Sequence, residues 1–403
     1  MKPSTPLVMM DTYLGVDVAQ AQSQLHLIGP DRRTRYTGAL PASHQAFEAC
    51  LTDLSERGVD PERCHVLMEA TGWKHLCFAD AFVRAGFRVY VLNALYVARR
   101  RGPGNAIREN KTDPVDAAGL AHLGLDDGAT LERFRYRPDA QVAGRHKLVS
   151  VREQLMKQRI NAIKSAQGLL EGLFPEAAEV GLELVGPRAR ACLRKYPLPA
   201  QLARARLSTL HGYLGQRAAS VRQAAADSFG ADCLQSQAVV LAFQQQLTLI
   251  DQIEERITAL DRMIASQIDA RELAWLCTIP GIGPKIARKI LVLLPKDWRQ
   301  WGSRRKIVRR LQAFLGFEPR RKRSGKWIGQ ERCSKRGNRI GRCALYQAAF
   351  AALVHDPDLR KRYDQQRARG KAHKQALINL MRIQLNRIVA ILIEQRPYQP
   401  IPQ

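Results

Sequence analysis

The chain of 403 residues carries 64 Lys and Arg against 37 Asp and Glu, a net charge of +27. This charge predicts a nucleic acid partner, because cations that neutralise phosphates release bound counterions and so favour binding. A ribosome-like or merely soluble basic protein is the alternative. Eight cysteines without a Cys-x-x-Cys pair exclude a zinc ribbon and predict reduced thiols in a cytoplasm, while the absence of a signal pattern and of a long apolar run predicts neither secretion nor a membrane span.

The first third of the chain predicts a mixed sheet. Strands are expected at 13–18, 23–28 and 33–37, a helix at 41–57, a strand at 64–68, and then a further helix and a strand that ends near residue 92. Three meandering strands followed by alternating helix and strand place helices on both faces of the sheet. This is the element order of the ribonuclease H fold.

Four acidic residues lie where such a fold gathers its metal ligands. Asp17 is on the first strand, Glu69 ends a later strand, and Asp113 and Asp116 open a helix, where residues i and i+3 share a face. Carboxylates in this arrangement hold one or two Mg²⁺ or Mn²⁺ ions, which activate an attacking oxygen and stabilise a leaving one. The four acids therefore predict phosphodiester chemistry on nucleic acid.

Each acid also has a simpler interpretation. Asp113 is an ordinary N-cap before a proline at the first helical position, with Asp116 near the positive end of the helix dipole. Glu69 is then a solvated acid at a strand end. Asp17 resists this interpretation, because strands disfavour Asp and its neighbours are apolar.

A basic loop broken by Gly and Pro precedes the helix of Asp113. It contains Arg99, Arg100, Arg101 and Lys111, which are candidate contacts to a phosphate backbone. A solvated basic loop is the alternative.

Two long amphipathic helices are predicted in the middle of the chain, at 140–174 and 238–268. Their apolar residues recur at helical intervals, which predicts an antiparallel coiled coil that serves as scaffold, with nucleic acid contact by the basic first helix as the alternative. Residues 175–233 are predicted to be helical, with no function assigned. The predicted domains are therefore 11–128, 129–272 and a mostly helical C-terminal domain at 273–403.

Residues 276–285 have the form of a helix-hairpin-helix. The turn with Gly281 and Gly283, followed by Lys285 and a second helix at 286–294, is typical of backbone amides that contact a DNA phosphate. A tight helix-helix turn without DNA contact is the alternative.

The most basic segment is 299–342, with 16 Lys and Arg against two acids. Ser324 lies within it, and a serine among guanidinium groups suits attack on phosphorus. Ser334 is the rival nucleophile. The candidate nucleic acid contacts around the two serines are Arg321, Lys322, Arg323, Lys326, Lys335 and Arg336.

Together these segments resemble a known family. Residues 15–19, 68–72 and 110–117 resemble the three DEDD motifs of insertion sequence 110 family transposases. Residues 279–283, 323–325, 335–338 and 345–349 resemble, in the same order, that family's second conserved domain, and 370–377 resembles the insertion sequence 1111 subgroup. Only the middle helices lack such a motif.

The resemblance implies a RuvC-like domain and a serine-bearing domain that form a composite active site. Asp17, Glu69, Asp113 and Asp116 would be the metal-binding acids, and Ser324 the nucleophile that forms a phosphoserine intermediate with DNA. A structured noncoding bridge RNA would pair with donor and target DNA. The enzyme would form a homo-oligomer, either a dimer or a tetramer. It would be cytoplasmic in a bacterium and associated with the nucleoid.

One segment departs from the family's commoner pattern, and two other functions compete. The family commonly has a more neutral segment before the serine loop. In this chain the corresponding residues 296–317 contain Trp298, Trp301 and a run of cations at 304–310. The first competing function is a metal-only nuclease similar to a Holliday-junction resolvase, in which water attacks instead of serine. The second is an architectural nucleic acid binder without catalysis.

Overall fold

The computed structural model describes residues 10–100, 113–320, 323–324, 327–328, 332–335 and 337–400. The chain forms two compact units, Met1–Asp139 and Ala140–Gln403, each described by itself. The division into three domains made from the sequence stays a prediction.

The first unit is built around a five-stranded mixed sheet. Its elements in chain order are β1 (Thr12–Asp17), β2 (Gln22–Ile28), β3 (Thr34–Pro41), α1 (His44–Glu56), β4 (Cys64–Glu69), α2 (Lys74–Arg84), β5 (Arg88–Leu92), α3 (Ala94–Arg100), α4 (Asp113–Asp126) and α5 (Gly128–Leu131). The strand order is β3-β2-β1-β4-β5. Strands β1 to β3 pair antiparallel, whereas β1, β4 and β5 pair in parallel, so the predicted mixed sheet is confirmed.

Helices cover both faces of this sheet. On one face Phe47 of α1 and Phe82 of α2 pack against strand residues such as Leu14 and Val66 in one buried cluster. On the other face a separate cluster joins α3 and α4 to β4 and β5. The apolar run of each central strand is thereby buried on both sides, which explains why these strands alternate weakly in sequence.

The second unit is mostly helical. Its elements are α6 (Ala140–Leu173), α7 (Pro187–Lys195), α8 (Pro199–Arg204), α9 (Leu207–Leu214), α10 (Ala218–Ala226), α11 (Gln237–Ala265), α12 (Ala270–Cys277), α13 (Pro284–Leu293), α14 (Arg304–Leu315), β6 (Pro319–Arg320), β7 (Arg323–Ser324), β8 (Trp327–Ile328), β9 (Arg332–Cys333), α15 (Arg339–His355), α16 (Pro357–Ala368) and α17 (His373–Glu394). Short 3-10 turns join several of them.

The two long predicted helices are α6 and α11, and they lie antiparallel. Arg152 binds Asp261 with two hydrogen bonds of 2.6 and 3.1 Å, and Arg159 binds Glu254 at 2.6 Å. The residue numbers fall on one helix as they rise on the other, which fixes the antiparallel direction. Whether the pair supercoils stays a prediction.

Two large buried clusters hold the second unit together, with a small third one around Val149 and Leu293 between α6 and α13. One joins α6 and α11 to the short helices α7 to α10, and the other joins α12 to α17. Helix α17 is long and apolar enough to cross a membrane by length and composition alone, and 56% of its apolar window is buried within the protein. Leu380, Met381 and Leu385 face the core, as in the central helix of a globular domain.

Candidate active site

Two of the four predicted acids end adjacent strands. Asp17 is the last residue of β1 and Glu69 is the last residue of β4. These strands are parallel neighbours in a register that pairs Val16 with Met68. Asp17 and Glu69 follow as the next positions of the same ladder, where neighbouring strands are about 4.8 Å apart. The backbone therefore brings both acids to one edge of the sheet.

Asp17 lies on the face of the sheet that α4 covers. Side chains alternate along a strand, so Asp17 shares a face with Gly15. A Cβ atom added to Gly15 would lie 2.0 Å from the carbonyl oxygen of Ala117 in α4. The backbone of α4 thus contacts β1 at a point where only glycine fits. Glycine at position 15 of the motif is therefore needed for the close packing of helix and strand.

Glu69 shares that face, and α4 runs away from the two acids. A Cβ atom on Gly124, near the end of α4, would meet the Leu67 side chain at 2.6 Å and the Tyr13 ring at 2.9 Å. Leu67 lies two residues before Glu69 on β4, so the two side chains are on the same face of the sheet and both point toward α4. Because Ala117 covers Gly15 and Gly124 covers Tyr13, the first turn of α4 lies at the edge that carries the acids.

Asp113 and Asp116 belong to that first turn. Asp116 is half-buried, and both Asp17 and Asp116 interact with other groups of the protein. Asp113 is the first residue of α4, and its side chain lies outside the described part of the structure. The fold therefore brings the four predicted acids to one end of one helix-covered sheet face.

Carboxylate oxygens are the ligands that Mg²⁺ and Mn²⁺ prefer, so the donor chemistry of this edge suits such an ion. Among the side chains that the structure describes, no three His, Cys, Asp or Glu are gathered closely enough to hold a metal ion. Asp113 is not among them. The assignment of the four acids as metal ligands stays a prediction.

Lys74 supports this edge of the sheet and was not identified from the sequence. It opens α2 just after the turn that follows Glu69, and its Nζ donates to the carbonyl oxygens of Gln20 and, at 3.4 Å, Ala19. The ammonium thereby holds the chain segment that follows Asp17. A lysine in the first turn of a helix opposes the helix dipole, and this was the available sequence signal.

His26 packs between β2 and α4 as an uncharged group. It pairs with Gly15 across β1 and β2, and its ring centroid lies 6.4 Å from that of His122 in α4. Burial lowers the pKa of His26, and the nearby His122 lowers it further. His26 therefore contributes packing against α4, and its lowered pKa favours the uncharged ring.

Arg100 has a partner within its own unit. Its guanidinium lies 2.5 Å from the Asp127 carboxylate, whose side chain is only 5% exposed, and Tyr96 donates to the same carboxylate at 2.5 Å. This pairing ties α3 to the end of α4. The other predicted contacts of the basic loop, Arg101 and Lys111, lie outside the described residues, as does the Arg99 side chain.

The predicted hairpin between helices joins α12 to α13. Gly281 has a φ of +88°, and a Cβ atom there would lie 2.6 Å from backbone atoms of Ala348 and Ala352 in α15. Packing against α15 therefore explains this glycine. Gly283 and Lys285 are exposed at the start of α13, and their contact with DNA stays a prediction.

Ser324 lies in β7, one of the four short strands β6 to β9 that we call the β-arm. At the base of the arm β6 pairs with β9, and β7 pairs antiparallel with β8. Ser324 is opposite Trp327 and is the last paired residue of β7. The Ser324 and Arg323 side chains, and all of Arg321, Lys322, Lys326 and Arg336, lie outside the described part of the chain.

The rival serine lies at the base of this arm. The Ser334 amide donates to the carbonyl oxygen of Glu318 at 3.0 Å, and the Lys335 amide donates to that of Gly316 at 2.8 Å. Ser334 is half-buried, while Lys335 is exposed. The two serines thus differ in position, one in the β7–β8 pair and one in the ladder that fastens the arm to α14.

Two family models match the chain. The first, the DEDD domain described as a transposase, matches residues 14–175 and so includes the acids of the sheet edge. The second, described as the transposase IS116/IS110/IS902 family, matches residues 273–364, which include the β-arm. The chain belongs to the IS110 family of transposases. It is an enzyme that cuts and rejoins DNA.

Curated relatives agree with this assignment. The transposase is 29% identical to the "Insertion element IS116 uncharacterized 44.8 kDa protein" of Streptomyces clavuligerus, over 97% of this chain and 96% of that protein. It is also 29% identical to the "Insertion element IS110 uncharacterized 43.6 kDa protein" of Streptomyces coelicolor, over 76% and 80% of the two chains. A "Pilin gene-inverting protein" of Moraxella lacunata is 30% identical over 36% of this chain and 45% of its own length.

A solved structure, "T. thermophilus RuvC in complex with Holliday junction substrate", aligns with 29% of this transposase and 94% of that chain. The sequence identity is 13% and the TM-score is 0.23.

Proposed function

We propose that the transposase exchanges DNA strands through a covalent bond between Ser324 and DNA. The Ser324 Oγ attacks a backbone phosphorus, an Oγ–P bond forms, and the bond from phosphorus to the sugar oxygen breaks. The serine proton is released and the sugar oxygen leaves as a hydroxyl. Attack by a second sugar hydroxyl on the phosphoserine reverses these changes and joins a new strand, so no high-energy cofactor is consumed.

The position of Ser324 on the arm is the observation that carries this proposal. A nucleophile must reach a phosphorus atom within a duplex, and Ser324 ends strand β7 of the β7–β8 pair, beyond the β6–β9 pair at the base of the arm. Ser334 is half-buried at the arm base, where its amide donates to the carbonyl oxygen of Glu318, and this burial favours Ser324 as the nucleophile. The cations around Ser324 in the sequence would stabilise the charge that develops on phosphorus.

We further propose that Asp17, Glu69, Asp113 and Asp116 hold Mg²⁺ or Mn²⁺. A divalent ion bound there would act as a Lewis acid on phosphate oxygens. The residues of the chain itself supply the oxygen ligands from two strand ends and one helix start, and Lys74 holds the segment after Asp17 in place. The convergence of these elements at one sheet edge supports the assignment.

The partners that we propose are those that the family resemblance implies. We propose that donor and target DNA are the substrates, that a structured noncoding bridge RNA selects them, and that the enzyme acts in the bacterial cytoplasm. We also propose a homo-oligomer, a dimer or a tetramer, in which the acids and the serine of one site come from different subunits. The antiparallel α6–α11 pair is the proposed coiled coil for dimerisation, and the α12–α13 turn a proposed DNA contact.

The covalent step is tested by denaturing gel analysis of DNA incubated with the enzyme, Mg²⁺ and RNA transcribed from the noncoding flanks of the element. Wild-type enzyme and Ser334→Ala should leave protein attached to cut DNA, whereas Ser324→Ala should leave none. Cleavage by Ser324→Ala with free product ends would instead support a metal-only nuclease. An adduct that survives Ser324→Ala but not Ser334→Ala would move the nucleophile to the arm base.

A further inference from the structure

Helix α14 has an exposed basic side and a buried apolar side. Arg305, Lys306, Arg309 and Arg310 are exposed on one side of the helix, and we call these four residues the α14 basic face. The opposite side buries Ile307, Val308, Leu311 and Leu315 in the core of the second unit. The cations are therefore presented by a rigid element and not by a loop.

Most of this face has no acidic partner within the described residues. Arg310 lies over the Trp301 ring at 6.0 Å, and the neighbouring Arg304 reaches Glu394 at 3.5 Å. Arg305, Lys306 and Arg309 have no ion pair with any acid that the structure describes.

The spacing of these cations opposes helix stability. Arg305 and Arg309 are four residues apart, as are Lys306 and Arg310, and like charges at this interval repel each other on a helix. The fold gains nothing from this arrangement, since the opposite side of the helix already supplies the buried contacts. A bound polyanion would relieve the repulsion, because phosphates attract all four groups.

The far end of α14 is tied to the base of the serine arm. The helix ends at Gly316 in a left-handed conformation, and Gly316 accepts from the Lys335 amide at 2.8 Å. Phe314 accepts from the Asn338 amide at 2.8 Å, and Leu315 from the Arg342 guanidinium at 2.9 Å. Hydrogen bonds therefore connect the end of the helix that carries the basic face to the base of the arm.

We propose that the α14 basic face binds the phosphate backbone of the DNA that Ser324 attacks. The face would fix the position of the duplex relative to the β-arm, which makes its four residues positioning residues and not catalytic ones. This inference rests on the proposed serine mechanism for the identity of the DNA. The interaction itself depends only on the unpaired cations and their rigid support.

The test compares DNA binding by full-length proteins as a function of salt. A triple variant, Arg305→Gln, Lys306→Gln and Arg309→Gln, is compared with a triple variant of the same charge, Arg204→Gln, Arg206→Gln and Arg222→Gln, at exposed positions near or within α8 and α10. The probe is a duplex DNA of about 40 base pairs, titrated between about 50 and 200 mM salt.

Each lost phosphate contact lowers the slope of log affinity against log salt by about 0.9. The α14 variant should therefore reduce the slope by about 2 to 3, and the control variant by less than about 1. The α14 variant should also melt at the same temperature as wild type or slightly higher, since repulsion is removed. Equal slopes for the two variants, or a lower melting temperature for the α14 variant, would overturn the proposal.

Two further measurements identify the partner and separate this inference from the serine mechanism. A duplex RNA of the same length is titrated in parallel, and a loss of affinity confined to RNA would overturn the choice of DNA. Ser324→Ala should bind DNA with the wild-type salt slope. If Ser324→Ala still forms the covalent adduct with DNA while the α14 variant shows a smaller slope of log affinity against log salt, the serine assignment fails and the DNA contact stands.

Discussion

At the scale of single residues, the motif around Asp17 combines packing with chemistry. Gly15 permits the backbone of α4 to touch β1, and that contact sets the distance between the first turn of α4 and the strand ends. Two positions later Asp17 stands at the resulting edge. A larger residue at position 15 would therefore displace Asp116 from Asp17 without altering either acid.

We expect Gly15→Ala to lower the free energy of unfolding of the first unit by about 3 kcal/mol, since a Cβ atom cannot fit 2.0 Å from the Ala117 carbonyl oxygen. Urea unfolding followed by circular dichroism measures the change. Gly119→Ala is the matched control in α4, because open space surrounds Gly119, and alanine there should stabilise the helix by about 0.5 to 1 kcal/mol. Equal effects of the two substitutions would contradict the packing argument.

At the scale of elements, one buried arginine joins the short helices to the long pair. Arg190 of α7 is fully buried, and its Nε donates to Asp251 of α11 at 2.7 Å. The same guanidinium binds Glu254 of α11 and donates to the Leu184 carbonyl oxygen at 2.7 Å. A planar donor with five N–H groups satisfies all of these acceptors at once, which a lysine cannot do.

Replacing Arg190 with methionine should destabilise the second unit by about 3 to 5 kcal/mol, because Asp251 and Glu254 lose their buried partner. Arg188→Met, an exposed position on the same helix, should change stability by less than about 0.5 kcal/mol. Thermal melting of the full-length proteins measures both. Comparable melting temperatures for the two variants would show that the network contributes little.

The same elements show what a sequence discloses. The helix predicted at 140–174 is observed at Ala140–Leu173, since an apolar repeat over many turns is a strong local signal. The β-arm was predicted only as loops, because strands of two residues leave no period to detect. Arg190 and Lys74 were missed for another reason. Their partners are distant in sequence, so only the fold reveals them.

At the scale of the whole molecule, charge is divided unequally between the two units. Residues 1–139 contain 17 Lys and Arg against 17 Asp and Glu, and residues 140–403 contain 47 against 20, so the entire surplus of +27 lies in the second unit. The unit with the acids is neutral, and the unit with Ser324 carries the attraction for DNA. The electrostatic attraction for a polyanion therefore comes from the second unit, and the first unit contributes no net charge.

If the acids and the serine of one site come from different subunits, two inactive chains should restore activity when mixed. Asp17→Asn keeps an intact serine and Ser324→Ala keeps intact acids, so co-assembled chains would form one complete site and one defective site. We expect the mixture to regain covalent adduct, up to about half of the wild-type amount per assembled pair of sites, while each variant alone forms none. Mixing Asp17→Asn with the double variant Asp17→Asn/Ser324→Ala is the control, because every site then lacks Asp17. Adduct in neither mixture, with assembly verified by light scattering, would mean that both halves of each site come from one chain.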